Sequence, residues 1–275
     1  MKITFVITIY QAPELLRLCL KSLKENIGDF EYNVAVADGE PKENLKQELE
    51  ALYPGIVYLA TEKNVGYPSL VNLGLKNIDW GDYIMVMNGD MIIPAGQMEK
   101  MIEYLEQNRD IGVLGPQLLY FSNKPQNSCF RFYHPLTVVF RRTFLGKTSW
   151  GKKDLARFQM RDYDRAHSRD VDWIMGSAML LRRNALEAVG LMDERFFMYF
   201  EDVDWCRRFW EKGFRVVFYP NAKLFHYHGK LSKKKGLIDL LFDKYVWIHI
   251  ISGLRYFLKW GWRTPHYYQD DYQAK

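Results

Sequence analysis

Cysteine is scarce in this 275-residue chain: Cys19, Cys129 and Cys206 are odd in number, widely spaced and never arranged as Cys-x-x-Cys. That argues against a disulfide scaffold and a zinc ribbon, and it fits a reducing cytoplasm. Long apolar runs are missing as well. No stretch of ~20 uncharged apolar residues occurs, so no segment spans a bilayer in the usual way. The opening MKITFVITIY turns polar at Gln11, too early for the apolar centre of a signal peptide. Nucleotide signatures are absent too. No GxGxxG follows a predicted strand and no GxxxxGK[ST] occurs, so dinucleotide oxidoreductases and P-loop enzymes lose their support. Neither HExxH nor GxSxG is present, and there is no internal repeat or low-complexity segment. No sign of charge dominates: 38 Lys and Arg against 33 Asp and Glu leave +5. That excess suits phosphate-bearing ligands or an anionic membrane surface and is too small to indicate nucleic acid.

What is present is an ordinary globular composition, 48% apolar and 26% charged, long enough for one large domain or two small ones with a core that needs no staples. The first half alternates strands and helices. Ile3–Ile9 is a nearly continuous β-branched and aromatic run, as expected of a strand buried on both faces. Leu15, Leu16, Cys19, Leu20, Leu23 and Ile27 then recur at helical spacing behind Pro13. Strands are predicted at 32–37, 56–60 and 83–87, with a helix through Leu45, Leu49 and Leu52 and another capped by Ser69 and running to Lys76. This order predicts an α/β fold with a mostly parallel sheet flanked by helices, whose ligands sit beyond the carboxyl ends of the strands. Thr8, Tyr10, Asp38, Asn64, Asn88 and Asp90 punctuate those ends.

The second half is less regular. Residues 120–169 are rich in Arg, Lys, Phe and Tyr with little periodicity; an irregular stretch of that length is functional or mobile in most proteins. Beyond it, a strand at 178–181, helices at 183–189 and 201–212, and strands at 215–219 and 222–225 are predicted, followed by an apolar, aromatic tail from Leu237 to Trp262.

Three clusters carry chemistry. Asn88-Gly89-Asp90 follows a strand, where an Asn oxygen and a carboxylate can hold a hard divalent cation that keeps water and substrate phosphates; an Asn-Gly turn reads equally well there. Glu201-Asp202-Val203-Asp204 opens a helix, which its dipole alone explains, yet the aromatic run before it would raise a carboxylate toward general-base range. His226 and His228, two apart on a strand, share one face and read as metal ligands, phosphate contacts or half-buried rings.

In order along the chain, these segments resemble glycosyltransferase family 2, nearest its rhamnosyltransferase branch. The resemblance rests on Thr8-Ile9-Tyr10, Val36-Ala37-Asp38-Gly39, Asn64-Val65-Gly66 with Asn72, Met87-Asn88-Gly89-Asp90 and Val171-Asp172-Trp173 through Gly176-Ser177. It continues through Met192-Asp193-Glu194-Arg195 to Tyr199-Phe200-Glu201-Asp202 and His226. It covers residues 1–232 and implies a GT-A fold with an inverting, metal-assisted transfer of a sugar, L-rhamnose from dTDP-rhamnose within this branch, to a saccharide or lipid-linked saccharide of a surface polysaccharide. Carried over residue by residue, Asp38 bonds the pyrimidine, Thr8 and Tyr10 line the base and ribose pocket, and Asn64 and Gly66 border the nucleotide. Asp90, with Asn88 beside it, binds Mg²⁺ or Mn²⁺, which His226 also reaches. Asp202, next to Glu201, is the general base, and Asp172, Trp173, Gly176 and Ser177 border donor sugar and acceptor. Asn88 departs from the family's acidic motif and removes one charge there.

A catalytically silent binding module built on the same fold is the alternative, recruiting partners through its aromatic tail. A nucleotidyltransferase would need a glycine-rich basic loop after the first strand, and Gln11-Ala12-Pro13-Glu14 is neither. The division expected is a catalytic domain at 1–232 and an amphipathic helical tail at 233–275. With the basic run Lys230 to Lys235 before it, the tail suits a membrane surface, and it equally suits packing on the domain or on a second copy as a homodimer. The expected partners are a dTDP- or UDP-sugar and a glycan acceptor, with no nucleic acid, in the cytoplasm or peripherally on the inner face of the cell membrane.

Overall fold

The opening apolar run forms β1 (Lys2–Ile9) at the centre of a sheet, followed by α1 (Pro13–Asn26), which Pro13 starts without loss because the first helical N–H has no partner inside the helix. The chain continues through β2 (Glu31–Asp38), α2 (Leu45–Leu52), β3 (Val57–Ala60), α3 (Tyr67–Lys76) and β4 (Tyr83–Asn88). The structure is a computed structural model that describes residues 1–42, 44–227 and 243–268. Then come β5 (Met91–Ile92), α4 (Gln97–Gln107), β6 (Ile111–Leu119) and β7 (Cys129–Phe130). Where the sequence predicts irregular chain stand α5 (Pro135–Arg142), a 3-10 turn (Phe144–Lys147) and α6 (Ser149–Phe158). Residues 120–169 are therefore a helical insert. Pro135 at the first position and the His134–Thr137 capping box start α5, and Thr148 caps α6 by accepting from the Gly151 amide. The remaining elements are β8 (Arg169–Asp170), β9 (Trp173–Ile174), β10 (Ala178–Arg182), α7 (Arg183–Val189), α8 (Glu201–Glu211), β11 (Arg215–His226) and α9 (Lys244–Trp260).

Among the described residues, nine strands form the main sheet in the order β3-β2-β1-β4-β10-β6-β11-β5, with β8 on β11. β3, β2, β1 and β4 run parallel, and β11 runs parallel to β6. β10 enters between β4 and β6 antiparallel to both. Period-two alternation sorts the side chains into two layers. Ile3, Phe5 and Ile7 of β1 meet Leu16, Leu20 and Leu23 of α1 and Met98, Met101 and Leu105 of α4. On the other face Val6, Ile84 and Val86 meet Val71 of α3, Trp205 and Phe209 of α8, and Tyr256 and Phe257 of α9.

One face of α9 is thus part of the second layer, which decides how the tail sits on the domain. Ser252 donates to the Met198 carbonyl at 2.9 Å, and the Trp260 indole donates to Asp204 at 2.7 Å. The domain boundary expected at 232/233, His228, the basic run from Lys230 and the tail's beginning at Leu237 lie outside the described residues. Ser69 does not cap α3. The helix starts two residues earlier, behind Gly66, and Ser69 sits in its first turn.

Candidate active site

Register brings the chemistry to one edge. Thr8 lies opposite Asn88 across β1–β4, and Ile9 lies opposite Asp38 across β1–β2, so these polar residues end three neighbouring parallel strands. Because β10 runs the other way, its amino end arrives at the same edge: Ala178 pairs with Met87, and the Ser177 carbonyl accepts the Asn88 amide at 3.0 Å. His226, the last residue of β11, pairs with Met91 just beyond Asp90.

At the nucleotide end, Asp38 is buried and held on both oxygens. Oδ2 accepts from the Tyr58 hydroxyl at 2.6 Å, and Oδ1 accepts from the Glu40 amide at 2.9 Å. Tyr10 stands half-exposed above it, its hydroxyl raised above the ordinary value first by Glu40 and offset by Asn64. Asn64 accepts the Gly66 amide at 3.0 Å. Gly66 has φ +89°, and a Cβ there would lie 2.3 Å from the Phe197 carbonyl oxygen, so only glycine fits. Thr8 is buried, with its hydroxyl 3.5 Å from Asn88 Oδ1.

Asp90 and His226 face each other at 3.5 Å from Oδ1 to Nε2. Gln126 fixes the imidazole. Its amide nitrogen donates to the His226 carbonyl at 2.8 Å, so its oxygen, 2.8 Å from Nδ1, accepts the ring proton. Nε2 is thereby turned toward the carboxylate. Burial pushes the Asp90 carboxyl up to about 7, the response expected of a buried oxygen that no donor satisfies.

Asp202, in the first turn of α8, accepts the Gly176 amide on Oδ2 at 3.1 Å and the Val203 amide on Oδ1 at 2.9 Å. Burial raises it to about 6, and these amides restrain the shift. Burial, then the Asp202 charge, raise Glu201 well above the usual carboxylate range. Tyr199 and Phe200 both adopt φ +67°, a left-handed pair of bulky residues that turns the chain into the helix and stores strain at the site. Phe200 is locked against Tyr133 and Tyr256, with ring centroids at 4.4 and 5.4 Å.

The Gly176–Ser177 turn joins the two halves. Asp202 holds Gly176, while Ser177 holds the end of β4 two residues before Asp90. The Tyr67 hydroxyl donates to the Gly176 carbonyl, and burial first, then the charges of Glu201, Asp202 and Asp90, raise it well above its ordinary value. Asp90 Oδ1, Ser177 Oγ and Glu201 Oε2 are buried without a hydrogen-bond partner. These three orphaned atoms lie on the elements that carry Asp90, the Gly176–Ser177 turn and Asp202.

Tyr67 and Gln126 are the residues that reading the sequence misses. Tyr67 adjoins Asn64-Val65-Gly66, a signal that was available; Gln126 has none. Two expected neighbours are engaged elsewhere. Asp172 accepts the Phe132 amide and lines a cavity of ≈ 400 Å³ with Arg131, His134 and Arg157, while Trp173 stacks on Phe130 at 4.4 Å and donates to the Arg131 carbonyl. Asn72 clamps the Met192 backbone at 2.9 and 3.0 Å and donates to Glu194, tying α3 to the loop before α8.

Among the described residues no three His, Cys, Asp or Glu side chains gather as a metal cage. Asp90 and His226 nevertheless fit a divalent cation. Two facing lone-pair donors with an orphaned carboxylate oxygen suit an ion that completes its shell from phosphate and water.

A sheet whose carboxyl edge gathers such groups, with one antiparallel strand inserted, is the GT-A architecture of nucleotide-diphospho-sugar transferases. The solved structure of GalNAc-T7 with UDP, GalNAc and Mn²⁺ superposes with a TM-score of 0.64 at 13% identity, covering 86% of this chain and 45% of that one. S. aureus TarS 1-349 with UDP gives 0.53 at 16% identity, covering 84% and 61%. Residues 4–190 match glycosyl transferase family 2, and the chain belongs to that family. Among curated relatives, the N-acetylglucosaminyl-diphospho-decaprenol L-rhamnosyltransferase of Mycobacterium tuberculosis is 28% identical over 208 residues, 71% of this chain. This chain spans 66% of the length of that relative. Rhamnosyltransferase WbbL of Escherichia coli K12 is 26% identical over 223 residues, 76% of this chain and 78% of that protein.

Proposed function

We propose that the protein is an inverting glycosyltransferase that moves a sugar from a pyrimidine nucleoside diphosphate to a hydroxyl of a saccharide or lipid-linked saccharide. The sugar is L-rhamnose from the dTDP donor, a choice supported by the names of the two rhamnosyltransferase relatives. The observation that carries the reading is one convergence, in which the Gly176–Ser177 turn joins the half-buried Asp202 carboxylate to the strand end before Asp90.

Asp202 takes the proton of the acceptor hydroxyl as that oxygen attacks the anomeric carbon. The bond from that carbon to the diphosphate oxygen breaks on the opposite face, and its electron pair leaves with the diphosphate. Asp38 and Tyr10 orient the base and ribose, and the Tyr67–Gly176 bond holds the turn beside the sugar. A Mg²⁺ or Mn²⁺ ion held by Asp90 and His226 would supply charge neutralisation for the leaving diphosphate. A lipid-linked acceptor would bring the protein to the inner face of the cell membrane.

The test is a donor screen with purified protein and Mn²⁺ that reads nucleoside diphosphate release with and without acceptor, with anomeric configuration of the product read by NMR. Release that depends on acceptor, with inverted configuration, is expected. No release from any dTDP- or UDP-sugar would overturn the reading.

A further inference from the structure

The helical insert and the outer side of α9 both present large exposed apolar side chains on elements that pack together. The insert's two helices and 3-10 turn pack together, and α9 packs against α5. Leu136, Phe144 and Trp150 of the insert are exposed, Trp150 by 83%. On α9 the side opposite buried His249, Ser252, Tyr256 and Phe257 carries Ile251, Leu254 and Leu258, with Leu258 exposed by 79%. That is an apolar stripe at i, i+3 and i+7, so α9 is apolar on both sides although only one side meets the core.

Charge identifies what covers this face. Of the cations in 135–158 and 244–260, Lys259 is bound to Asp193 and Asp204, Arg157 to Asp154 and the Phe132 carbonyl, and Arg141 to Tyr133, so the charge of the face is that of the insert's lysines. Lys147, Lys152 and Lys153 are exposed beside Phe144 and Trp150 in sequence. Clustered cations around exposed aromatic and aliphatic side chains fit the headgroup and upper acyl region of an anionic bilayer. A second copy of this chain would bring the same positive face against itself.

We propose that this face docks on an anionic lipid surface, Phe144, Trp150 and Leu258 entering the interfacial layer while Lys147, Lys152 and Lys153 meet lipid phosphates. α5 also carries Arg141, which lies over Tyr133 and Phe158 and whose charge lowers the Asp202 carboxyl. Delivery of a lipid-linked acceptor from this face rests on the proposed function; lipid binding itself does not.

The experiment is flotation of the full chain with vesicles of equal parts phosphatidylglycerol and phosphatidylcholine, against vesicles of phosphatidylcholine alone. Anionic vesicles should retain at least about tenfold more protein, and salt at ~0.5 M should release it. The double variant Phe144→Ser/Trp150→Ser and the charge variant Lys147→Glu/Lys152→Glu should each lose about tenfold in retention, with circular dichroism and nucleoside diphosphate release on a short soluble acceptor unchanged. Equal retention on both vesicles, or none, overturns the proposal. So does a wild-type dimer in sedimentation equilibrium that the Phe144→Ser/Trp150→Ser variant dissociates. Flotation without transfer activity refutes the proposed function and leaves the docking face standing, whereas activity without flotation does the reverse.

Discussion

Asp90 and His226 lie at the same end of the antiparallel β5–β11 pairing and point a carboxylate oxygen and a ring nitrogen at one another across 3.5 Å. What keeps the ring in that orientation is Gln126, an uncharged residue 100 positions away in sequence. Gln126→Ala should therefore raise the Mn²⁺ concentration needed for half-maximal activity by about 10- to 100-fold, the usual cost of losing such a support. Activity at saturating metal should stay within a fewfold of wild type. A metal titration of donor turnover checks this, and an unchanged titration curve refutes it.

Asp202→Asn keeps the side-chain shape and removes the carboxylate proposed as the proton acceptor. The expected loss in kcat is about 10²- to 10⁴-fold, with donor affinity within a fewfold of wild type by calorimetry. Full activity in this variant would assign the base elsewhere.

The pH dependence has a definite sign. Burial holds the folded Asp202 near 6, above the ~3.9 of an unfolded aspartate. The base works only when ionised, so kcat should climb as pH rises through about 6 and level off above. Stability runs the other way. The contribution of Asp202 is full below the unfolded value and is lost as pH rises through about 6, and Glu201 shifts in the same direction. A kcat profile and a denaturation midpoint measured at matched pH values should move in opposite directions across that window.

Gly66→Ala places a methyl against the Phe197 carbonyl and forces a non-glycine residue to φ +89°. A loss of about 2 kcal/mol or more in urea denaturation is expected from strain and close contact together. A stability within experimental error of wild type would show that the α3–Phe197 junction moves freely.

Tyr67→Phe deletes only the hydroxyl that holds the Gly176 carbonyl. About 1 kcal/mol of stability is the ordinary worth of such a bond. A fall in kcat of about tenfold, with KM for donor nearly constant, separates its positioning of the turn from a merely structural part. Equal effects on stability and on both kinetic constants would leave no positioning role.

Local pattern made the first half of the fold legible because β1 to β4 are apolar runs and α1 carries a clean helical stripe. The ends of those strands exposed Asp38, Asn88 and Asp90 for the same reason. α5 and α6 escaped although, at 8 and 10 residues, they are as long as α2 and α3. α5 carries apolar residues both toward the core and outward, so no single stripe stands out. The reversed entry of β10 escaped for a different reason, since strand direction comes from long-range pairing that an isolated Ala-Met-Leu-Leu run does not encode. Asp172 and Trp173 sit beside the Gly176–Ser177 turn in sequence, yet their side chains bond the Phe132 amide and the Arg131 carbonyl, and adjacency along the chain carries no such direction.

The reversed strand has an architectural consequence. The chain leaves β6 and re-enters through β10, and these two strands are immediate neighbours in the sheet. The stretch between them departs from and rejoins this one pair of rails, and it is tied back to the sheet through Gln126 on His226 and through β8 on β11. Such an excursion can be lengthened, trimmed or exchanged between homologues while the pairing of β1, β2 and β4 stays as it is. An exchange that keeps Gln126 and β8 leaves the His226 ring and the edge of β11 supported.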